Sequence, residues 1–218
     1  MKIVIAKKIL TANDEIAADN LARLDRAGVY CINILGSPGA GKTSLLEKLA
    51  APLAKKLRLG VIEGDLATSR DAERIDALGI PTVQINTEGG CHLDANMVKT
   101  ALDSLALDDL DLLLIENVGN LVCPSGYRLG ERHRIAVLSV AEGDDKVAKY
   151  PTMFQRVDTL VVNKIDLLPH VDYDLKRVYT DVQKIAPKIK MLEISARTSE
   201  GIESVAEWLT QKREEFAG

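Results

Sequence analysis

The sequence predicts an α/β fold in three layers: a mostly parallel sheet with helices on both faces, and a helical appendage at the N-terminus. From residue 29 onward, short apolar runs of strand length alternate with longer amphipathic stretches. Such alternation implies right-handed crossovers and a parallel sheet covered on both sides. Hydrophobic residues make up 46% of the 218, charged residues 28%, and no low-complexity tract interrupts them, the composition of an ordinary globular chain. No repeat, Pro-rich linker or charge block divides the chain, so the reading is an N-terminal extension over 1–28 and one large domain over 29–218.

Residues 14–27 read as an amphipathic helix with Ile16, Ala17, Leu21 and Leu24 on one face, Asn13 as candidate N-cap and Gly28 as the stop. Strand-like runs follow at 29–35, 59–62, 82–85, 111–115, 134–140, 159–162 and 190–194. Helical patterns occupy 43–57, 69–78, 93–105, 175–185 and 202–213. Active sites in such sheets gather at the carboxyl ends of the strands.

Charge and hydropathy narrow the partners. Lys plus Arg number 28 against 32 for Asp plus Glu, a net charge of -4, and no dense basic block exists to neutralise a phosphate backbone, which argues against nucleic acid. The longest apolar stretches, 112–115 and 135–140, fall far short of the roughly 20 residues that span a bilayer, and residues 1–10 have no cleavable signal, so the expected setting is the cytoplasm, away from membranes. Three cysteines, an odd number, read as reduced thiols.

Gly36-Ser37-Pro38-Gly39-Ala40-Gly41-Lys42-Thr43 fits the Walker A pattern between an apolar strand and a helix, which makes the fold that of a P-loop NTPase. The glycines let successive N–H groups curl inward onto phosphate oxygens, and the following helix, with Ser44 in its first turn, adds its positive end. Lys42 is placed to reach the β and γ phosphates and Thr43 to put its hydroxyl on Mg²⁺. Asn163-Lys164-Ile165-Asp166 ends a later strand. There the Asp166 carboxylate can accept both N–H donors of guanine, a pair that adenine lacks. Asn163 would bridge base and phosphate loop, Lys164 would cover the ring, and the loop Ser195-Ala196-Arg197 can offer N–H groups to the guanine oxygen.

These motifs, in this order, resemble those of guanine-nucleotide-binding G proteins. The place usually held by Asp-x-x-Gly is taken by Glu116-Asn117-Val118-Gly119. The resemblance implies Gly119 N–H at the γ-phosphate and Glu116 on Mg²⁺ through water, with Asp65 in the magnesium shell or orienting the attacking water. Lys42, Asp65, Glu116 and Gly119 are thus the candidate catalytic set. Residue 120 is Asn, so the water-orienting Gln of Ras-like proteins is absent and slow intrinsic GTP hydrolysis is expected.

A second chemistry lies beside this one. Cys91-His92 follow Glu88-Gly89-Gly90, and Cys123-Pro124 come four residues after Gly119, no more than about 15 Å along the chain. Thiolate and imidazole suit Zn²⁺ or Ni²⁺, not Mg²⁺. Gly89 and Gly90 permit the turn that would let Cys91 and His92 converge. Three ligands are one short of a closed tetrahedral site, leaving water or a second subunit to complete it. Cys31 reads as a buried small hydrophobe, and His133 and His170 carry no assignment.

The run Glu88 to His92, the run Glu116 to Pro124, and Gly143-Asp144-Asp145-Lys146 before Lys149-Tyr150-Pro151 together resemble the hydrogenase nickel-incorporation GTPases, the HypB family, from the first helix to Trp208. The resemblance implies a SIMIBI-class G domain that binds GTP or GDP, dimerises with GTP, and carries Ni²⁺ or Zn²⁺ at the subunit interface through Cys91, His92 and Cys123. It also implies a HypA-type nickel chaperone and the hydrogenase large-subunit precursor as partners. Lys146 and Lys149 read either as one of them pairing with the opposite subunit or as a solvated basic pair. Residues 1–26 contain no cysteine or histidine, so the amino-terminal nickel store of many family members is not expected. Two rivals stand beside this reading: a urease-type nickel GTPase, which would show Cys-Pro-His, and a metal-binding regulator that uses nucleotide only to set its oligomeric state. A small-molecule kinase would leave Asn163 to Asp166 without a role.

Overall fold

The computed structural model describes residues 7–66 and 70–218. Seven strands, β1 (Tyr30–Gly36), β2 (Leu59–Asp65), β3 (Thr82–Asn86), β4 (Leu112–Glu116), β5 (His133–Ser139), β6 (Thr159–Asn163) and β7 (Lys190–Glu193), form one sheet in the order β3-β2-β4-β1-β5-β6-β7. Every neighbouring pair is parallel. Among the described residues eight α-helices flank it: α1 (Lys7–Arg26), α2 (Lys42–Ala54), α3 (Arg70–Asp76), α4 (Ala95–Leu102), α5 (Lys146–Lys149), α6 (Pro151–Phe154), α7 (Leu175–Ile185) and α8 (Ile202–Ala217).

The strands are apolar throughout because both faces are covered, and alternate residues feed different cores. Ile32, Leu112, Leu114, Ile135, Val137 and Val161 point toward α2 and α8, where Leu45, Leu49, Leu53 and Leu209 meet them. Cys31, Leu113 and Ile115 point the other way, against Leu24 of α1 and Val98 of α4. Leu35, Ala136, Leu138, Leu160 and Val162 pack onto Phe154 of α6 and Val178 and Val182 of α7. Each fully buried aliphatic side chain contributes about 1.5–3 kcal/mol. The three layers expected from the sequence are present, and Cys31 is fully buried with its thiol pushed well above the ordinary range by that burial.

Several boundaries differ, for physical reasons. The first helix starts at Lys7 rather than at residue 14, so Asn13 is not its cap: it sits inside the helix, buried, with its amide bonded to distant backbone. Gly28 does end it, at φ +69°. The fourth helix is trimmed to Ala95–Leu102 because Asp94 caps it, accepting from Met97 N–H at 2.8 Å. Residues 146–154 form α5 and α6, single turns broken at Pro151, too short for a periodic pattern to reveal. Among the described residues no helix is long and apolar enough to cross a membrane. What matters for function is the edge where the strands end, since Gly36, Asp65, Glu116, Ser139 and Asn163 all close their strands there.

Candidate functional site

After Gly36 the chain turns through Gly39 (φ +77°) and Gly41 (φ +93°) into α2. Gly41 has no alternative, since a Cβ there would lie 2.4 Å from Nδ2 of Asn163. The loop borders a cavity of about 410 Å³ whose lining includes Lys42, Thr43, Asp65, Glu116 and Gly119. Lys42 Nζ donates to Ser37 O at 3.4 Å and lies 4.0 Å from Oε1 of Glu116. The Thr43 hydroxyl donates to that same oxygen at 2.9 Å.

Burial drives the electrostatics. It pushes Glu116 up to about 7 against the pull of Lys42 and the Thr43 hydroxyl. Glu63, which sequence reasoning missed, stands beside Glu116 in the β2–β4 register. Burial first, then repulsion from Glu116 and Asp65, raises it to about 8. Among the described residues, Oε2 of Glu63 and Oε2 of Glu116 have no hydrogen-bond partner. Two orphaned carboxylate oxygens and the Thr43 hydroxyl are hard-oxygen donors of the kind Mg²⁺ takes, although Glu63, Asp65 and Glu116 do not converge into one tight cluster as Cys91, His92 and Cys123 do. The signal for Glu63 was an acid inside an otherwise apolar strand.

A second cavity of about 350 Å³ adjoins the first, lined in part by Ser44, Asn163, Lys164, Asp166, Ala196 and Arg197. Asn163 ties it together: Nδ2 donates to Ala40 O at 2.9 Å, and Oδ1 accepts from Ala196 N–H at 3.1 Å. Lys164, held at φ +64°, reaches Gly39 O at 2.7 Å. Asp166 accepts from the Ser195 hydroxyl at 2.6 Å. The phosphate loop, the Asn163–Asp166 turn and the Ser195–Arg197 loop thus form one rim around a slot with a carboxylate at its end.

From Glu116 the chain passes directly under the phosphate loop. Gly119 lies so close that a Cβ would sit 2.9 Å from Pro38 Cα. Asn120 N–H donates to Gly36 O at 3.0 Å, while its Oδ1 accepts from Val122 N–H at 2.7 Å and Cys123 N–H at 3.4 Å. Asn117 Oδ1 accepts from Leu93 N–H at 3.2 Å, one residue past His92. The same segment therefore grips both loops that carry soft ligands.

The structure brings Cys91, His92 and Cys123 together, with one donor atom from each within 4.8 Å of the others. Cys91 Sγ is 3.6 Å from His92 Nδ1. The convergence comes from a tight turn: Glu88 and Gly89 take φ of 49° and 94°, and the Thr87 hydroxyl donates to Gly90 O at 2.7 Å. A hydrogen bond with Cys123 pushes the Cys91 thiol up. Burial pushes His92 down, favouring the neutral imidazole that binds metals. Its ring lies against Tyr127 with centroids 3.9 Å apart. Arg134, 2% exposed, pairs with Glu131 and donates to Ser125 O at 3.1 Å and Tyr127 O at 2.5 Å, fixing the Cys123 turn from below. Two thiols and an imidazole suit a borderline-soft cation such as Zn²⁺ or Ni²⁺. Lys146 and Lys149, the candidates for a cross-dimer pair, both lie against Asp145 of their own chain, at 3.3 and 2.5 Å.

The chain is similar over most of its length to several known proteins. A family model described as CobW/HypB/UreG, nucleotide-binding domain, covers residues 30–193. The hydrogenase maturation factor HypB of Azotobacter chroococcum mcd 1 is 47% identical over 211 residues, spanning 97% of this chain and 69% of that protein. The crystal structure of HypB from Helicobacter pylori in complex with nickel superposes with a TM-score of 0.90 at 42% identity, covering 94% of this chain and 96% of that one. The hydrogenase maturation factor HypB of Archaeoglobus fulgidus gives 0.87 at 37% identity, with 93% and 99% covered. With a P-loop beside a Cys-His-Cys cluster, and relatives this similar over almost its whole length, the chain belongs to the HypB family.

Proposed function

We propose that the chain binds and slowly hydrolyses GTP, carries nickel or zinc, and helps insert nickel into nickel-iron hydrogenase. The observation that carries this reading is the hydrogen-bonded segment from Glu116 to Cys123, which touches the phosphate loop through Asn120 and both soft-ligand loops through Asn117 and Asn120. A change at the γ-phosphate has a direct covalent and hydrogen-bonded route to the metal. The Helicobacter pylori relative solved with nickel supports the same cargo here.

In this reading the amides of residues 36–44 hold the triphosphate, Lys42 neutralises its β and γ oxygens, and Gly119 N–H meets the γ-phosphate. Thr43, Asp65 and Glu116 would hold Mg²⁺, which would supply neutralisation of the charge that develops on the phosphates. Water attacks the γ-phosphorus, the bond to the β-phosphate oxygen breaks, and GDP and phosphate leave. With Asn at 120 no glutamine orients that water, so turnover is slow. Cys91, His92 and Cys123 hold the cargo ion. GTP orders the segments bearing Asp65 and Glu116 and pairs two copies of the chain, and hydrolysis loosens the metal for transfer. The collaborating proteins are a HypA-type chaperone and the hydrogenase large-subunit precursor, in the cytoplasm, and residues 29–218 constitute the G domain.

Base choice tests the nucleotide half. Asp166→Asn exchanges an acceptor for a donor where guanine offers two donors, so GTP affinity falls by about 100-fold or more, and xanthosine triphosphate, which places a carbonyl there, binds better than GTP. Calorimetry on wild type and variant checks this, and equal binding of ATP and GTP by the wild type contradicts it.

A further inference from the structure

We infer that α1 is a clamp on the metal centre, with Asn13 and Asn20 as positioning residues for Cys91, His92 and Cys123. The inference rests on reading those three side chains as metal ligands.

Asn13 and Asn20 lie about two turns apart on one face of α1. Asn13 Oδ1 accepts from Ala95 N–H, and its Nδ2 donates to Arg128 O, both at 2.8 Å. Asn20 Nδ2 donates to Ala95 O at 2.8 Å and to Leu129 O at 2.9 Å. The two amides therefore bond both the N–H and the C=O of Ala95, three residues after His92, and the carbonyls of Arg128 and Leu129, a few residues after Cys123. Each asparagine bridges the two ligand-bearing loops.

The fit is close. Gly130, at φ +109°, brings its backbone so near α1 that a Cβ would lie 2.5 Å from Cβ of Asn20 and 3.1 Å from Ala17 O. Asn13 and Asn20 are only 7% and 1% exposed. Asparagine is a poor helix former, and a buried amide costs free energy unless it is bonded, so packing alone would be served better by an apolar residue. Bridging two loops is what an amide with a donor and an acceptor does and an aliphatic chain cannot. Metal ligation needs donor atoms held to fractions of an ångström, so the distance between the two loops is a property of the site.

The test uses the whole chain with Asn13→Ala and with Asn20→Ala, Ni²⁺ titration, and Co²⁺ as an optical probe of thiolate coordination. Ni²⁺ affinity is expected to fall about tenfold, and the Co²⁺ charge-transfer bands to shift, with GDP affinity unchanged. Hydrogen exchange of the amides at 91–95 and 123–129 is expected to quicken in both segments together. A lower melting temperature with wild-type Ni²⁺ affinity and Co²⁺ bands would reduce α1 to a packing element and overturn the clamp. If wild type binds neither ion, the ligand reading fails and the clamp on a metal centre falls with it, an outcome distinct from variants that match a metal-binding wild type, which refute the clamp alone. Should Asn20→Ala not fold, Asn13→Ser at the less buried position carries the same readouts.

Discussion

Lys42→Ala is expected to reduce GTP turnover by about 10²–10³-fold, the loss seen when a preorganised charge stabiliser is removed from a developing oxyanion. The ammonium is buried, 4.0 Å from Glu116 and bonded to Ser37 O, so its position is set by the fold before any nucleotide arrives. Its removal also deprives Glu116 of the charge that holds its carboxyl down, while burial, the larger influence, continues to raise it. At neutral pH Glu116 then takes a proton, which makes it a poorer magnesium ligand. The protein tolerates this, because a neutral buried carboxyl costs far less than an unpaired carboxylate. Single-turnover phosphate release checks the prediction: fast release by the variant, or by the unmodified chain alone, would mean that some other group carries the chemistry.

Cys123→Ser is expected to weaken Ni²⁺ and Zn²⁺ binding by at least about 100-fold. Apparent free energies of about 10–16 kcal/mol for a full structural zinc set apportion several kcal/mol to each thiolate, and a hydroxyl does not replace one. The same holds for Cys91→Ser, whose sulfur lies within 4.8 Å of that of Cys123. Cys31→Ser is the control: that side chain is fully buried in the core between α1 and the sheet, so stability falls while metal affinity stays. Equilibrium dialysis of the three variants separates these outcomes, and equal metal binding by wild type and Cys123→Ser would remove the cluster from the mechanism.

The sheet was legible because parallel strands buried on both faces must be apolar on both faces, and the phosphate loop because its glycines answer a steric demand visible in the sequence itself. That Cys91 and His92 can converge was foreseeable from Gly89 and Gly90, whereas the place of Cys123 beside them was implied by the family resemblance. What escaped were residues whose partners are remote. Asn13 looks like a local cap until the chain folds, when its bonds reach residues 82 and 115 positions away. Glu63 becomes a neighbour of Glu116 only through strand register. Arg134 is a charge in a strand whose purpose, holding Ser125 and Tyr127, depends on a loop path that no periodicity encodes. Asn117 stood inside a recognised motif, yet its side chain accepts from backbone in the loop after His92, which a one-dimensional pattern does not show.

Coupling between nucleotide and metal is the claim on which the rest depends, and linkage makes it reciprocal. The decisive measurement is Ni²⁺ affinity of the whole chain saturated with GDP and, separately, with a non-hydrolysable GTP analogue, each with Mg²⁺. Affinities that differ by about 5–150-fold, with nickel shifting analogue affinity by the same factor, are the expected result. Identical nickel affinities in the two states would show that the segment from Glu116 to Cys123 joins two sites without connecting their energies.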